Sequence, residues 1–401
     1  MQLSNLLTLF RVFYCSRSFF MGIAWREWIV EINLWQKNQS IAFMKRILYF
    51  VMCLLTGLMA MAQSPELTVE QHLEDYDCAV KYVEANYSGF SFWVTDSTRS
   101  DYEVTKSRLR GEVERGERPG WDAVAAYTGW FNDLHLFLSV HYNGLNQHSY
   151  HQRHMISYAS QMEEYEPKPV AIKVTDKTFL VRFPSCGGDP DMKWIKKSIK
   201  QYKKSHCKNL IIDLRGNTGG NDGFFDPYFQ LLYDHEAIIP GIEFRNTPQN
   251  MDFLRRNGWF SNILKIAADN PEAEYVSYGN GLIKSKKIDR SVAKAALIID
   301  NHVASSGESI VRLVKCCSAR TTVYGKDNTL GALDFANLSS IVLPHCQLSL
   351  YVPMSRTIGL PENSIDKNGI APDVRIDLPL PARLTDNIDE WVIWVAEQLE
   401  K

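Results

Sequence analysis

The chain has 401 residues, of which 45% are hydrophobic and 22% charged, enough to bury two domains or one large one. A formal net charge of −2 leaves no basic footprint for nucleic acid. Lys196, Lys197, Lys200, Lys203 and Lys204 do cluster, but at the spacing of a helix face opposite Trp194, Ile195, Ile199 and Tyr202, which reads as a solvated surface.

The front of the chain reads as an export signal. Lys45 and Arg46 are followed by an apolar run, Ile47 to Met59, and Ala60-Met61-Ala62 has the small-x-small pattern of a cleavage site. Residues 44–62 are therefore expected to be removed, with Gln63 at the mature N-terminus and residues 1–43 an upstream extension that precedes the true start. The uncharged run is 16 residues, below the roughly 18 a membrane span needs. A periplasmic or secreted protein without stable membrane insertion is the expectation. Of its cysteines, Cys78, Cys186, Cys207, Cys316, Cys317 and Cys346 would remain. None has metal-type spacing, so they read as small buried hydrophobes whose pairing stays open.

Residues 63–165 are expected to form a mostly helical N-terminal domain. Thr68 starts a helix carrying Leu73, Tyr76, Val80 and Val83 on one face, and further helices are predicted over Tyr102–Glu114 and Trp121–Trp130. Asn132-Asp133-Leu134-His135 then leads into an alternating strand through Leu136, Leu138 and Val140. His135, next but one to an aspartate, is a candidate base as well as an ordinary polar strand end. From residue 166 the pattern becomes α/β. A hairpin spans Ala171–Val174 and Phe179–Phe183, an amphipathic helix Asp191–Lys204, and a buried strand Asn209–Leu214, which together make a βαβ unit and a parallel sheet. A helix resumes over Phe224–Tyr233. Residues 240–290 are an insertion with Trp259 and Phe260 as anchors. Strands follow at Lys294–Ile299 and Thr321–Tyr324, then a hairpin of Ser339–Leu343 with Gln347–Val352, a strand at Val374–Ile376 and a closing helix from Thr385 to Glu400.

Two loops of this sheet carry the candidate chemistry. Asp213-Leu214-Arg215-Gly216-Asn217-Thr218-Gly219-Gly220 and Asp300-Asn301-His302-Val303-Ala304-Ser305-Ser306-Gly307 each follow an apolar strand and precede a helix. On parallel neighbours they would meet at the carboxyl edge, where such sheets bind ligands. Ser305 stands at a helix start, where free N–H groups favour an oxyanion. The same letters, Ser305-x-x-Glu308 before an apolar run, also spell a capping box, so both readings of Ser305 are open. No cofactor and no metal is called for by either.

The strand with its glycine loop (Leu210–Gly220), the strand with its serine turn (Ile298–Glu308) and the loop Gly369-Ile370-Ala371-Pro372-Asp373 resemble the serine peptidase family of C-terminal processing (tail-specific) peptidases and tricorn protease. Asp133-Leu134-His135 is similar to that family's Asp-Gly-His segment, with Leu134 in place of glycine. The resemblance spans about residues 70–380 and implies a crotonase-like (ClpP/crotonase) α/β peptidase domain over 166–401. Carried over, it implies Ser305 as nucleophile and the N–H groups of Ser306 and of Gly219 or Gly220 as oxyanion hole. The lysine base of the Ser–Lys subgroup is absent: its place holds Leu330, and Lys326 is out of register. The resemblance therefore points to the tricorn-like branch, with His135 as base and Asp366 as the orienting acid, while His302 is a competing base. An exported serine endopeptidase acting on peptides or unfolded chains follows. The alternative is a catalytically inactive protein that binds peptides or apolar ligands on the same fold, and a third reading turns the serine on an ester.

Overall fold

Thr178–Arg182, Asn209–Asp213 and Lys294–Ile299 are buried along nearly their whole length, as strands covered on both faces must be. They form the middle of a six-stranded sheet in the computed structural model, which describes residues 67–139, 158–284 and 287–401. The strand order is Val374–Arg375, Thr321–Gly325, Lys294–Ile299, Asn209–Asp213, Thr178–Arg182 and Val170–Lys173. All neighbours are parallel except the last two, which make the expected hairpin. Successive residues of one strand serve opposite cores, as the two-residue pleat dictates. Leu210 and Ile212 face the helices Met192–Ser205, Asp226–Leu232 and Ser306–Cys317, whereas Ile211 faces Trp391, Val392 and Val395 of the closing helix. Burial of Ile310, Val311 and Val314 fixes the Ser306–Cys317 helix on the sheet, at about 1.5–3 kcal/mol for each side chain.

The N-terminal helices are Val69–Asn86, Arg99–Glu114 and Gly120–Trp130, and the first is closed by a capping box between Thr68 and Gln71. Tyr76, Val83, Val124, Tyr127 and Phe131 pack them onto Phe335, Leu350 and Val352 of a long antiparallel hairpin, Phe335–Val342 with Ser349–Thr357. That hairpin belongs to a second sheet, to which Phe137–Leu138, Ile242–Arg245 and Tyr275–Ser277 add strands. The segment 240–290 thus contributes strands to this sheet, and Phe260 packs 4.8 Å from Phe244 while Trp259 stays largely exposed.

Several sequence expectations need correction. The strand after His135 is only Phe137–Leu138, because Leu134, Leu136, Phe137 and Leu138 are all buried and the alternation does not mark one face. The closing helix starts at Glu390, not Thr385: Arg383–Leu384 is drawn into pairing with Glu164–Tyr165, and Asp389 becomes the cap. A short helix, Phe90–Trp93, was not expected. The six cysteines from Cys78 to Cys346 are free thiols. The export segment 44–62, residues 1–43 and Val140 lie outside the described residues. Among the described residues no helix is long and apolar enough to cross a membrane.

Candidate active site

Strands Asn209–Asp213 and Lys294–Ile299 end side by side, with Ile298 opposite Asp213, so the two loops leave the sheet together. They are then stitched to each other. Asn217 accepts the Ala304 N–H at 3.0 Å, and the Ser306 hydroxyl donates to the Gly220 carbonyl at 2.7 Å. Buried Asp300 accepts the N–H groups of Gly216 and His302 and, at 2.6 Å, the Tyr165 hydroxyl. Close approach requires glycine at two points. A Cβ on Gly219 would lie 2.7 Å from the Ser305 Cβ, and one on Gly307 would lie 2.7 Å from the Asn217 carbonyl oxygen.

Ser305 sits where the chain turns from strand to helix, with φ 53° and ψ −122°, a backbone conformation costly for any residue with a side chain. Its hydroxyl makes no cap bond, so the capping-box reading fails there. Glu308 takes on a further task. Its fully buried carboxylate accepts the Thr329 hydroxyl at 2.5 Å and the N–H groups of Gly331 and Ala332 at 2.7 Å. Burial raises its pKa, against the pull of these donors. The strap held in this way returns the favour, because the Ala332 carbonyl accepts the Ser305 N–H at 3.0 Å and so helps to hold the strained turn.

The strap runs on into the candidate acid, Asp366. The next two N–H groups, of Leu333 and Asp334, go to Asp366 Oδ1 at 2.7 and 2.9 Å. Four successive backbone donors are therefore divided between Glu308, beside the serine turn, and Asp366. Burial, followed by the charges of Asp334 and Asp133, pushes the Asp366 carboxyl well above the usual range.

The histidine approaches from the N-terminal helices. Leu134 is buried in one cluster with Ala304, Leu330 and Ala332, so the residues immediately before His135 and Ser305 are packed together. Asp133 fixes this turn through its backbone: Oδ1 accepts the His135 N–H at 2.8 Å, and Oδ2 accepts the Tyr87 hydroxyl at 2.7 Å. Leu330, at the place where the Ser–Lys subgroup has lysine, is a packing residue of that same cluster, and Lys326 Nζ donates instead to the Leu378 carbonyl. Ser305, His135, Asp366 and the glycine loop are thus brought into one region.

Of the sequence candidates, Gly219 is otherwise engaged, whereas His302 keeps a buried ring nitrogen without a hydrogen-bond partner. The Gly219 N–H donates to Asn217 Oδ1 at 3.0 Å, while Ser306, at the head of its helix, has an N–H with no intrahelical acceptor. The His302 ring packs tilted, at 34°, against Tyr165 with 4.8 Å between centroids and lies beside Tyr158. Sequence reasoning missed Tyr87 and Asp334 altogether and read Glu308 only as a cap. Their partners lie 21 to 46 positions away, and a one-dimensional pattern carries no signal for that.

The fold and loops define an α/β protein with a strand-to-helix serine turn at the carboxyl edge of a parallel sheet. Residues 177–376 match peptidase family S41, and the chain belongs to that family. Among solved structures it is similar to a candidate peptidase from Parabacteroides merdae, at 14% identity and a TM-score of 0.56, covering 82% of this chain and 97% of that one. It is also similar to mature CPAF complexed with lactacystin, at 10% identity and a TM-score of 0.54, covering 83% and 97%. No curated protein sequence matches it.

Proposed function

We propose that this member of a peptidase family is an exported serine endopeptidase that hydrolyses peptide bonds through an acyl-enzyme. Ser305 Oγ attacks the scissile carbonyl, and His135 takes its proton, since a serine hydroxyl is too weak an acid to react unaided at neutral pH. Asp366 orients that imidazole and stabilises its charged form. The N–H groups of Ser306 and Gly220 receive the developing oxyanion, and Gly219 supplies the close approach. His135 then returns the proton to the leaving amine, and water attacks the ester under the same base. The substrate is a peptide or an unfolded chain, and no cofactor or metal enters. Catalysis by this scheme belongs to a crotonase-like domain of the tricorn-like branch, in which a histidine from the preceding segment replaces the subgroup lysine.

The observation that carries the reading is Ser305 itself: a strained backbone is kept at a non-glycine residue whose hydroxyl does not serve as a cap. Turnover of a broad library of quenched fluorescent peptides tests it. The wild-type protein should cleave members of the library and Ser305→Ala should not. An inert wild-type protein whose melting temperature rises with an apolar ligand would favour the non-catalytic receptor instead. Export is tested by fractionation and N-terminal sequencing, with Gln63 as the expected first residue.

A further inference from the structure

We propose that Asp334 is the positioning residue for the Asp366 carboxylate, an inference that rests on the peptidase reading above. An acid can orient an imidazole only if it keeps an oxygen for it. Asp366 Oδ1 is taken by two backbone N–H groups, at 2.7 and 2.9 Å, whereas its Oδ2 is buried without a hydrogen-bond partner. Asp334 answers through the same turn. Its Oδ2 accepts the Ser364 hydroxyl at 2.6 Å, the Ile365 N–H at 3.0 Å and the Asp366 N–H at 2.9 Å. Each aspartate therefore holds the other's backbone, and swinging either carboxylate away would strand N–H groups in a buried place. The clasp is anchored beyond itself, because the Asp334 carbonyl accepts the Thr357 N–H of the long strand Ser349–Thr357 at 2.8 Å.

The clasp also sets a charge. Asp334 from the strap and Asp133 from the histidine turn both press on Asp366, and the Tyr87 hydroxyl donates to Asp133. Arg312 of the Ser306–Cys317 helix faces Asp334, with its Nη1 unpartnered. Lys367, next in sequence to Asp366, turns outward over the Trp93 ring. A second negative charge beside Asp366 makes its ionisation harder. Asp334 thus aims the free oxygen and fixes the pH at which it becomes charged.

Two variants separate these roles. Asp334→Asn keeps a carbonyl oxygen for the Ile365 and Asp366 N–H groups but removes the charge, while Asp334→Ala removes both. With a peptide substrate, Asp334→Ala should lose about 100-fold in kcat with KM little changed, the penalty of a misplaced orienting group. Asp334→Asn should keep most of the plateau kcat and move the acid limb of kcat/KM to lower pH, because loss of the neighbouring charge lowers the Asp366 pKa. An acid limb unmoved in Asp334→Asn, or a wild-type kcat in folded Asp334→Ala, overturns the proposal. If Asp334→Ala does not fold, the limb of Asp334→Asn decides alone. A wild-type protein inert towards peptides overturns the peptidase reading and this inference together. An active wild type with indifferent Asp334 variants overturns this inference only.

Discussion

Two buried sets of charges lie in this molecule and are built on opposite plans. Arg182, Arg215, Asp213 and Asp389 form a balanced quartet under the glycine loop, with four ion pairs of 2.7 to 2.9 Å and almost no exposure. Burial there works against ionisation, yet Arg215 and Arg182 overcome it and hold Asp213 at about 2. Asp133, Asp334 and Asp366 form a set in which negative charge predominates beside the serine turn, with Arg312 facing Asp334 but making no hydrogen bond to it through Nη1. Its members are also buried, but Asp334 Oδ1 and Asp366 Oδ2 have no hydrogen-bond partner. A balanced set of this kind supports a scaffold and resists pH. An unbalanced one is costly to keep, and its shifted carboxyl is poised to exchange protons or to steady a nearby cation.

The contrast can be broken first at the serine. Ser305→Ala should lower kcat by ~10⁴-fold or more while leaving the protein folded, as measured with peptide turnover and circular dichroism. In the quartet, Asp389→Ala should cost about 3–5 kcal/mol in urea unfolding, because two buried guanidinium groups lose a partner. Asp366→Asn should reduce kcat by about 100-fold or more and yet raise the melting temperature at neutral pH. The sign follows from its raised pKa. The carboxyl's contribution to stability is present below the unfolded value and is lost as pH rises through the folded one, so the wild type should fall further behind the variant as pH increases. The smallest effect is expected of Glu308→Gln. One of its amide faces must meet a backbone N–H of the strap, costing about 1–3 kcal/mol, with a fall in kcat as the support of Ser305 loosens.

What could be read from sequence follows the same division. Leu210–Asp213 and Ala295–Ile299 announce themselves as buried strands through apolar, branched runs, and their parallel pairing follows from the helix between strands. The meeting of the two loops was legible for that reason. The letters Ser-x-x-Glu left two readings open, because a cap and a strained turn use the same spacing. What separates them is the backbone angle of Ser305 and the pull of Glu308 on Gly331 and Ala332, more than 20 positions on. Asp334 was invisible because Asp366, its reciprocal partner, is 32 positions away and nothing local marks Asp334 itself. The late start of the closing helix has a related cause. Asp389 is committed to Arg182 and Arg215, and this tertiary demand sets the cap.

Whether one serine, activated by an imidazole from the N-terminal helices, does the chemistry is most directly measured with a fluorophosphonate probe and peptide mapping of the adduct. The wild-type protein should carry a single adduct on Ser305, formed at a rate that collapses in His135→Ala and is absent in Ser305→Ala. An adduct on another residue, or labelling of Ser305 at the same rate without His135, would contradict it.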